Sequence, residues 1–315
     1  MAGKGCTVAE TYLSHAIEAA SLSGAEYDTN AKYLLADKQI LARILKYTVK
    51  EFQDMPVDDI ISSIGDDIEV GTRPPDPGLS NLRRVNAAGT EDNVPGEGII
   101  FYDIRFTAYI KEEKMKNLLN VEAQRSSNTK KLGYHLENRI IFYLARMISA
   151  QKMTEFFNDD YDSICPVRSI FICMDSKGKE DSIEEIFLDR KTVLGNTSKP
   201  HGTDLIKGII INIRRGKHLK MSQNKLIAML ETLLSPKDTA TKKQILTSEY
   251  GMVMTAELER RIQTMCNLSE SLIEEERLDA IERMIRANAT KEQILSYGYT
   301  EKEYEEAEKG LFANA

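Results

Sequence analysis

The sequence has few of the residues and patterns that mark several large classes of protein. Its 315 residues include four cysteines, eight prolines and no tryptophan. No uncharged apolar run reaches the roughly 18 residues that a membrane helix needs, and the first twenty residues mix charged and apolar types. The cysteines are scattered, without a C-x-x-C pair or histidines at metal-ligand spacing. We therefore expect no transmembrane span, secretory signal, zinc site or disulfide framework, and a location in the reducing cytoplasm.

Two phosphate-binding motifs are also absent. The sequence contains neither G-x-x-x-x-G-K-[ST] nor G-x-G-x-x-G, so nothing in it supports a nucleoside triphosphate site or a dinucleotide site. Its four histidines show no pattern of a Ser/His/Asp triad. These absences leave carboxylate chemistry as the source of catalysis to look for.

The net charge of −7 is not spread evenly along the chain. Residues 249–310 contain 8 basic and 15 acidic residues, which equals the whole imbalance, while the rest of the chain has 34 of each. Within that neutral part, residues 111–152 contain 9 basic and 4 acidic residues. The composition therefore does not exclude a nucleic-acid partner, because residues 111–152 are basic enough to follow a phosphate backbone.

Hydrophobic periodicity divides the chain into an arm, an α/β core and a helical end. Residues 1–30 lack periodicity and predict a loosely held arm. Amphipathic spacing predicts helices over 32–52 and 132–152. Runs of β-branched and aromatic residues predict strands over 98–110, 115–124, 166–174 and 205–213. This mixed order predicts a central mixed sheet flanked by helices over residues 31–235, followed by a C-terminal helical region over 236–315.

Three side chains on two neighbouring predicted strands suggest a chemical site. Glu122 and Gln124 are two residues apart on one strand, so their side chains project from the same face. A hairpin with the preceding strand can place Asp103 beside them. Two carboxylates that converge at the end of apolar strands repel each other, and magnesium prefers such oxygen ligands. The pattern favours Asp103 and Glu122 as ligands of a magnesium ion that serves phosphodiester hydrolysis.

Four segments occur in an order that is typical of one family. They are Asp103-Ile-Arg-Phe, Asn120-Val-Glu-Ala-Gln124, the helix from Tyr134 to Arg146, and Pro166-Val-Arg-Ser-Ile-Phe-Ile172. This series resembles the PD-(D/E)xK nuclease family transposases, which are akin to the recombination-promoting nucleases of bacteria, over roughly residues 32–266. The resemblance implies a restriction-endonuclease-like core and magnesium-dependent DNA cleavage. It also implies an acidic residue on the first helix, which we match to Asp37.

Gln124 stands where the superfamily pattern usually has lysine. Lysine stabilises charge and orients the attacking water, whereas glutamine can hydrogen-bond a water molecule but is uncharged. The nuclease-transposase subgroup itself often has glutamine at this position. Lys130 or Lys131 is a candidate source of the missing charge from nearby.

The helix predicted over 132–152 has a second stripe of side chains that we expect to face away from the core. Its members, at positions i, i+4, i+8 and i+11, are His135, Arg139, Tyr143 and Arg146. An ordinary solvent-exposed face has the same pattern. The adjacent Lys130 and Lys131 favour contacts of this stripe with DNA phosphates.

The C-terminal region has two capping boxes, Thr290 with Gln293 and Thr300 with Glu303. Residues 288–310 contain three basic and six acidic residues, which favours a partner protein or a homodimer through these helices over DNA. Two functions stay open for the whole chain. One is a metal-dependent DNA endonuclease of recombination or transposition, and the other is a catalytically silent DNA-binding or assembly protein that keeps the nuclease fold.

Overall fold

The protein is described here by a computed structural model, which covers residues 27, 29–71, 91–94, 98–110, 115–124, 127–176, 181–195, 203–214, 221–235 and 237–313. Most of the arm predicted over residues 1–30 lies outside the described residues. The helices are α1 (29–35), α2 (Lys38–Thr48), α3 (Val57–Ser63), α4 (Thr129–Leu132), α5 (Leu136–Ser149), α6 (Lys225–Leu234), α7 (Thr239–Tyr250), α8 (Ala256–Arg286), α9 (Lys291–Ser296) and α10 (Glu301–Ala313). The strands are β1 (Glu69–Val70), β2 (Glu91–Val94), β3 (Gly98–Phe101), β4 (Ile104–Ile110), β5 (Met115–Gln124), β6 (Val167–Ser176), β7 (Ser182–Phe187) and β8 (Ile206–Arg214).

A mixed six-stranded sheet forms the centre of the fold, in the order β1-β4-β5-β6-β8-β7. β1, β4 and β5 are antiparallel neighbours, β5, β6 and β8 run parallel, and β7 pairs antiparallel with β8 at the edge. β5 and β8 are buried along most of their length, as expected for strands that are covered on both faces. This arrangement confirms the predicted α/β class and contains the predicted hairpin as β4 and β5.

Helices cover the sheet on both faces. On one face, α1, α2, α6 and the first half of α8 share a large apolar core with β4, β5, β6 and β8. On the other face, α5 packs Ile140, Leu144 and Met147 against Phe171 of β6 and Ile210 of β8. The helix predicted over residues 132–152, which contains α5, therefore covers one face of the sheet and contributes to the core. In the part of the chain that the structure describes, no helix has the length and apolar composition needed to cross a membrane.

Two predicted elements are each divided next to an acidic residue that the sequence assigned to the candidate site. The strand predicted over 98–110 forms β3 and β4, because β3 pairs with β2 in a separate two-stranded sheet. Asp103 lies in the interruption, one residue before β4. The helix predicted over 32–52 is interrupted at residues 36–37, and α2 begins there with Asp37 as its N-cap. Both interruptions place an acidic side chain at the end of an element.

The helix predicted over 132–152 is preceded by a short separate turn. α4 ends at Leu132 and is capped by Gly133, whose φ of 79° lies in the left-handed region that glycine adopts without strain. α5 then begins at Leu136 and ends at Ser149. The glycine turn therefore separates Lys130 and Lys131 of α4 from the helix that covers the sheet.

The apolar core extends past the boundary predicted at residues 235/236. Its buried members beyond that point are Leu246, Met252, Leu258, Ile262, Met265 and Cys266. Burial of these side chains makes α7 and the first half of α8 part of the core, so the predicted division is corrected to a position after residue 266. Further along, Ile281, Ile294 and Ala307 form a separate small cluster between α8, α9 and α10.

The two C-terminal capping boxes are confirmed by hydrogen bonds. The Thr290 hydroxyl accepts from the backbone N–H of Gln293, whose side chain accepts from the backbone N–H of Thr290. Thr300 and Glu303 exchange the same pair of bonds. These caps satisfy donors that the first turn of a helix would leave unpaired, so α9 and α10 each have a defined start.

Candidate active site

Asp103 and Glu122 lie next to each other where β4 begins and β5 approaches its end. Ile104 pairs with Val121 in the ladder of β4 and β5, so Asp103 faces Glu122. The backbone N–H of Asp103 donates to Oε1 of Glu122 over 2.9 Å. The backbone N–H of Ala123 donates to Oδ2 of Asp103 over 3.0 Å. The structure thus brings together the two acids predicted from the sequence, which we call the carboxylate pair.

The two members of the carboxylate pair differ in their surroundings. Glu122 is 1 % exposed, and burial disfavours its charged form. The neighbouring charge of Asp103 adds to this effect, and together they raise the pKa of Glu122 to about 8 against the opposing influence of Arg139. Asp103 is more open, with 18 % of its side chain exposed. A buried carboxylate with a raised pKa at the end of a strand is typical of functional sites.

Two cations from different helices contact the carboxylate pair. Nζ of Lys32, on α1, lies 2.8 Å from Oδ1 of Asp103, and its side chain is 8 % exposed. A guanidinium nitrogen of Arg139, on α5, lies 3.0 Å from Oε2 of Glu122. These helices lie on opposite faces of the sheet, so the pair is neutralised from both sides.

Gln124 belongs to the same cluster through Arg139. Its Oε1 accepts a hydrogen bond of 3.1 Å from that guanidinium. Arg139 also donates to the hydroxyls of Tyr134 and Tyr143, over 3.2 Å and 2.8 Å. Burial lowers the pKa of Arg139, but Glu122 and the tyrosines outweigh it and raise that pKa above its usual range. The guanidinium is therefore positively charged at neutral pH.

Asp37, the acid matched to the first helix, is not brought to the carboxylate pair. Its side chain accepts a hydrogen bond of 2.9 Å from the backbone N–H of Gln39 and so caps α2. Burial raises the pKa of Asp37, and the charges that influence it belong to Arg261 and Glu257 of α8. The structure thus gives Asp37 a capping position because the predicted helix is interrupted immediately before α2.

Two of the residues predicted to contact DNA are accessible. Lys130 lies on α4 and is exposed, with Asn128 capping that turn. His135 is exposed at the N-cap of α5. Lys131 belongs to α4, and its side chain lies outside the described part of the structure. The side chains of Lys130 and His135, which precede α5 on the chain, are therefore accessible to a ligand.

Tyr143 and Arg146 do not form the outward-facing stripe that the sequence predicted. The Tyr143 ring lies edge-on to Tyr102, 5.3 Å between centroids, and 6.0 Å from the ring of Phe171. Arg146 is 4 % exposed. Because α5 packs its Arg139, Tyr143 and Arg146 side toward the sheet, its exposed face presents Ile141 and Phe142 instead, each about half exposed.

The carboxylate pair could supply two ligands to a divalent cation whose other ligands are water and substrate. Among the described residues, no three His, Cys, Asp or Glu side chains converge to form a closed metal cage. Magnesium is commonly held by one or two carboxylates, with water and substrate phosphate completing its coordination. Asp103 and Glu122 match that donor set, and the unfavourable burial of Glu122 beside Asp103 gives a cation an electrostatic reason to bind.

Sequence reasoning missed two residues at this site and misplaced a third. Lys32 precedes Asp103 by 71 positions, and no local pattern signals their ion pair. Tyr134 contacts Arg139 from the turn before α5, although it begins one of the segments on which the family resemblance rests. Arg139 was assigned to an outward face because helical periodicity alone treats a basic residue as solvent-exposed.

No family model matches the chain. No curated protein and no solved structure matches it either.

Proposed function

We propose that this protein is a magnesium-dependent DNA endonuclease of the PD-(D/E)xK transposase type, which acts in recombination or transposition. The observation that supports it most is the convergence of Asp103, Glu122 and Gln124 at one end of the β4–β5 hairpin. This end also holds the carboxyl ends of the parallel strands β5 and β6, where α/β proteins commonly bind ligands.

Asp103 and Glu122 are the residues that would hold the magnesium ion. When bound, it would supply positive charge to the phosphate and acidify a water molecule. Gln124 orients the attacking water by a hydrogen bond, since its amide can both donate and accept. The oxygen of that water forms a bond to phosphorus while one phosphoester P–O bond breaks. The water loses a proton to solvent and the leaving oxygen gains one.

DNA binding in this proposal depends on charge that is separate from the carboxylate pair. Lys130 and His135 are exposed immediately before α5, whose first turn leads to Arg139. Lysine contacts to phosphate fix the position of a duplex without reading its sequence. We assign these residues to the backbone of the DNA near the site, and the acidic C-terminal helices to self-association of the chain in the cytoplasm.

Supercoiled plasmid is the direct substrate for a test. We expect the full chain to nick it with magnesium chloride and to leave it intact when EDTA is added. Asp66→Asn is a matched control, because Asp66 is an exposed carboxylate whose ion pair with Lys38, 2.7 Å, lies outside the site. That variant should nick at the wild-type rate.

A second function, a catalytically silent DNA-binding or assembly protein, is favoured by one specific observation. Both acids already have a cationic partner, Lys32 for Asp103 and Arg139 for Glu122, in the places where a metal ion would bind. This alternative predicts DNA binding in EDTA and intact plasmid with every divalent cation tried. Nicking that starts on addition of magnesium excludes it.

A further inference from the structure

Among the described residues, Arg139 is a charged group that contacts both Glu122 and Gln124. It donates to Oε2 of Glu122 over 3.0 Å and to Oε1 of Gln124 over 3.1 Å. Lys130, the alternative source of charge that the sequence suggested, lies on α4 beyond the turn at Gly133. The described contacts of the site therefore include one cation at the side chain that replaces the family's usual lysine.

We propose that Arg139 is a catalytic residue, which supplies to the scissile phosphate the positive charge that Gln124 lacks. This inference rests on the proposed nuclease function. Charge develops on the phosphate oxygens as the water adds, and a preorganised donor aimed at that charge accelerates the step. A guanidinium has five N–H donors in a fixed fork, so it can bind phosphate oxygens while keeping other partners. Arg139 remains protonated throughout.

The surroundings of Arg139 hold it at the site independently of Glu122. The hydroxyls of Tyr134 and Tyr143 accept hydrogen bonds from it. Its guanidinium carbon lies 4.9 Å from the centroid of the Tyr143 ring and 5.5 Å from that of Phe171. Cation–π contacts of this kind are attractive, and none of these contacts involves Glu122. The guanidinium is thus kept beside Gln124 when a cation takes the Glu122 carboxylate.

The sharpest test moves the charge from one position to the other. Arg139→Gln should lower the rate of plasmid nicking by about 10²- to 10³-fold, the range for loss of one preorganised donor. Adding Gln124→Lys to that variant should raise its rate of plasmid nicking at least tenfold, since the lysine returns positive charge to the same place. Arg139→Lys should retain part of the activity.

Arg277→Gln is the matched control. Arg277 also pairs with a carboxylate, Glu303, and lies 4.7 Å from the centroid of an aromatic ring, that of Tyr299, but it belongs to the C-terminal cluster. Its replacement removes equivalent contacts without touching the carboxylate pair. The rate of nicking by this variant should equal that of the wild type.

Calcium binding without DNA provides a readout that does not depend on cleavage. Arg139 and a cation compete for Glu122, so Arg139→Gln should bind calcium severalfold more tightly than the wild type in calorimetry. A purely structural role, in which Arg139 holds Glu122 in place, predicts weaker binding. Weaker binding, or no rescue by Gln124→Lys in a variant with a native melting curve, overturns the inference.

The two levels of the proposal fail in different ways. Plasmid left intact by the wild type with every divalent cation rejects the nuclease function, and the role of Arg139 with it. Nicking by the wild type and equally fast nicking by Arg139→Gln rejects only the role of Arg139. Slow nicking by Arg139→Gln together with rescue by Gln124→Lys supports both.

Discussion

The backbone N–H of Asp103 donates to the side chain of Glu122, and the Asp103 carboxylate accepts from the N–H of the residue that follows Glu122. The two acids are therefore fixed relative to each other by main-chain atoms of β4 and β5. Ion pairs with Lys32 and Arg139 then neutralise them. A cation that binds here meets two acids that are already in position, and it has only to replace side-chain partners.

Replacing Glu122 should change how stability depends on pH in the absence of metal. The pKa of Glu122 is raised from 4.5 to about 8, so between these values the folded state holds a proton that the unfolded state has lost. Stability of the wild type therefore falls as pH rises through this window. Glu122→Gln lacks this loss and should gain at least about 1 kcal/mol relative to wild type between pH 5 and pH 8. Urea denaturation in EDTA at the two pH values measures this difference.

Glu303→Gln is the control with the opposite shift. The hydrogen bond from Arg277 lowers the pKa of Glu303 to about 2, so its carboxylate is charged in both states above pH 4.5. The stability that this carboxylate contributes is lost only as pH falls from about 4.5 toward 2. Its replacement should shift stability equally at pH 5 and pH 8. If the difference in free energy of unfolding between the wild type and Glu122→Gln does not grow between pH 5 and pH 8, the described burial of Glu122 is contradicted.

Asp37 offers a test between capping and catalysis. Asparagine is as good an N-cap as aspartate, whereas alanine cannot accept the hydrogen bond from Gln39. Asp37→Ala should therefore cost about 1 kcal/mol of stability, and Asp37→Asn should be close to wild type in both stability and nicking. A large loss of nicking in a fully stable Asp37→Asn variant would return Asp37 to the catalytic set that the family resemblance implies.

The adjacency of Asp103 and Glu122 could be predicted because it depends on local geometry. Side chains alternate along a strand, and a hairpin brings two strands into register, so three positions suffice to define the site. The ion pair of Lys32 with Asp103 could not be predicted, since it depends on how α1 packs across the sheet. Arg139 was misplaced for a related reason: it turns toward the sheet because it contacts Glu122 and Gln124 of β5, and helical periodicity cannot reveal those contacts.

The strands that could be predicted from the sequence are those formed by long apolar segments. β5, β6 and β8 are long apolar segments and were identified within a residue or two. β7 was missed because it contains two consecutive glutamates, Glu184 and Glu185, which are unfavourable for strand propensity but tolerated in an edge strand. The core boundary was set too early because α7 has a weak apolar stripe, although its Leu246 is fully buried.

DNA binding without metal should depend on Lys130 and not on Arg146. Lys130→Ala removes an exposed charge next to α5, so the slope of log affinity against log salt should become shallower by about one. Lys302→Ala is the control, because Lys302 is equally exposed on the acidic helix α10. Fluorescence anisotropy in EDTA over a salt series gives the slopes. Equal slopes for the wild type and Lys130→Ala would remove α4 from the DNA interface.

Truncation should locate the end of the core. A chain that ends at residue 270 keeps every buried residue of the main cluster through Cys266 and should melt cooperatively near the wild-type temperature. A chain that ends at residue 235 loses Leu246, Leu258 and Ile262, and its circular dichroism spectrum should be that of an unfolded protein. Sedimentation of the first truncation should show loss of self-association. A folded 235-residue chain would contradict the corrected boundary.

The central claim is that Asp103 and Glu122 hold a divalent cation that is needed to cleave DNA. The measurement that tests it most directly is the rate of supercoiled-plasmid nicking by wild type, Asp103→Asn and Glu122→Gln across a magnesium titration. We expect saturable nicking by the wild type and rates lower by several orders of magnitude for both amides, with DNA binding in EDTA preserved. Equal nicking by all three proteins, or none by the wild type at any magnesium concentration, would contradict the account.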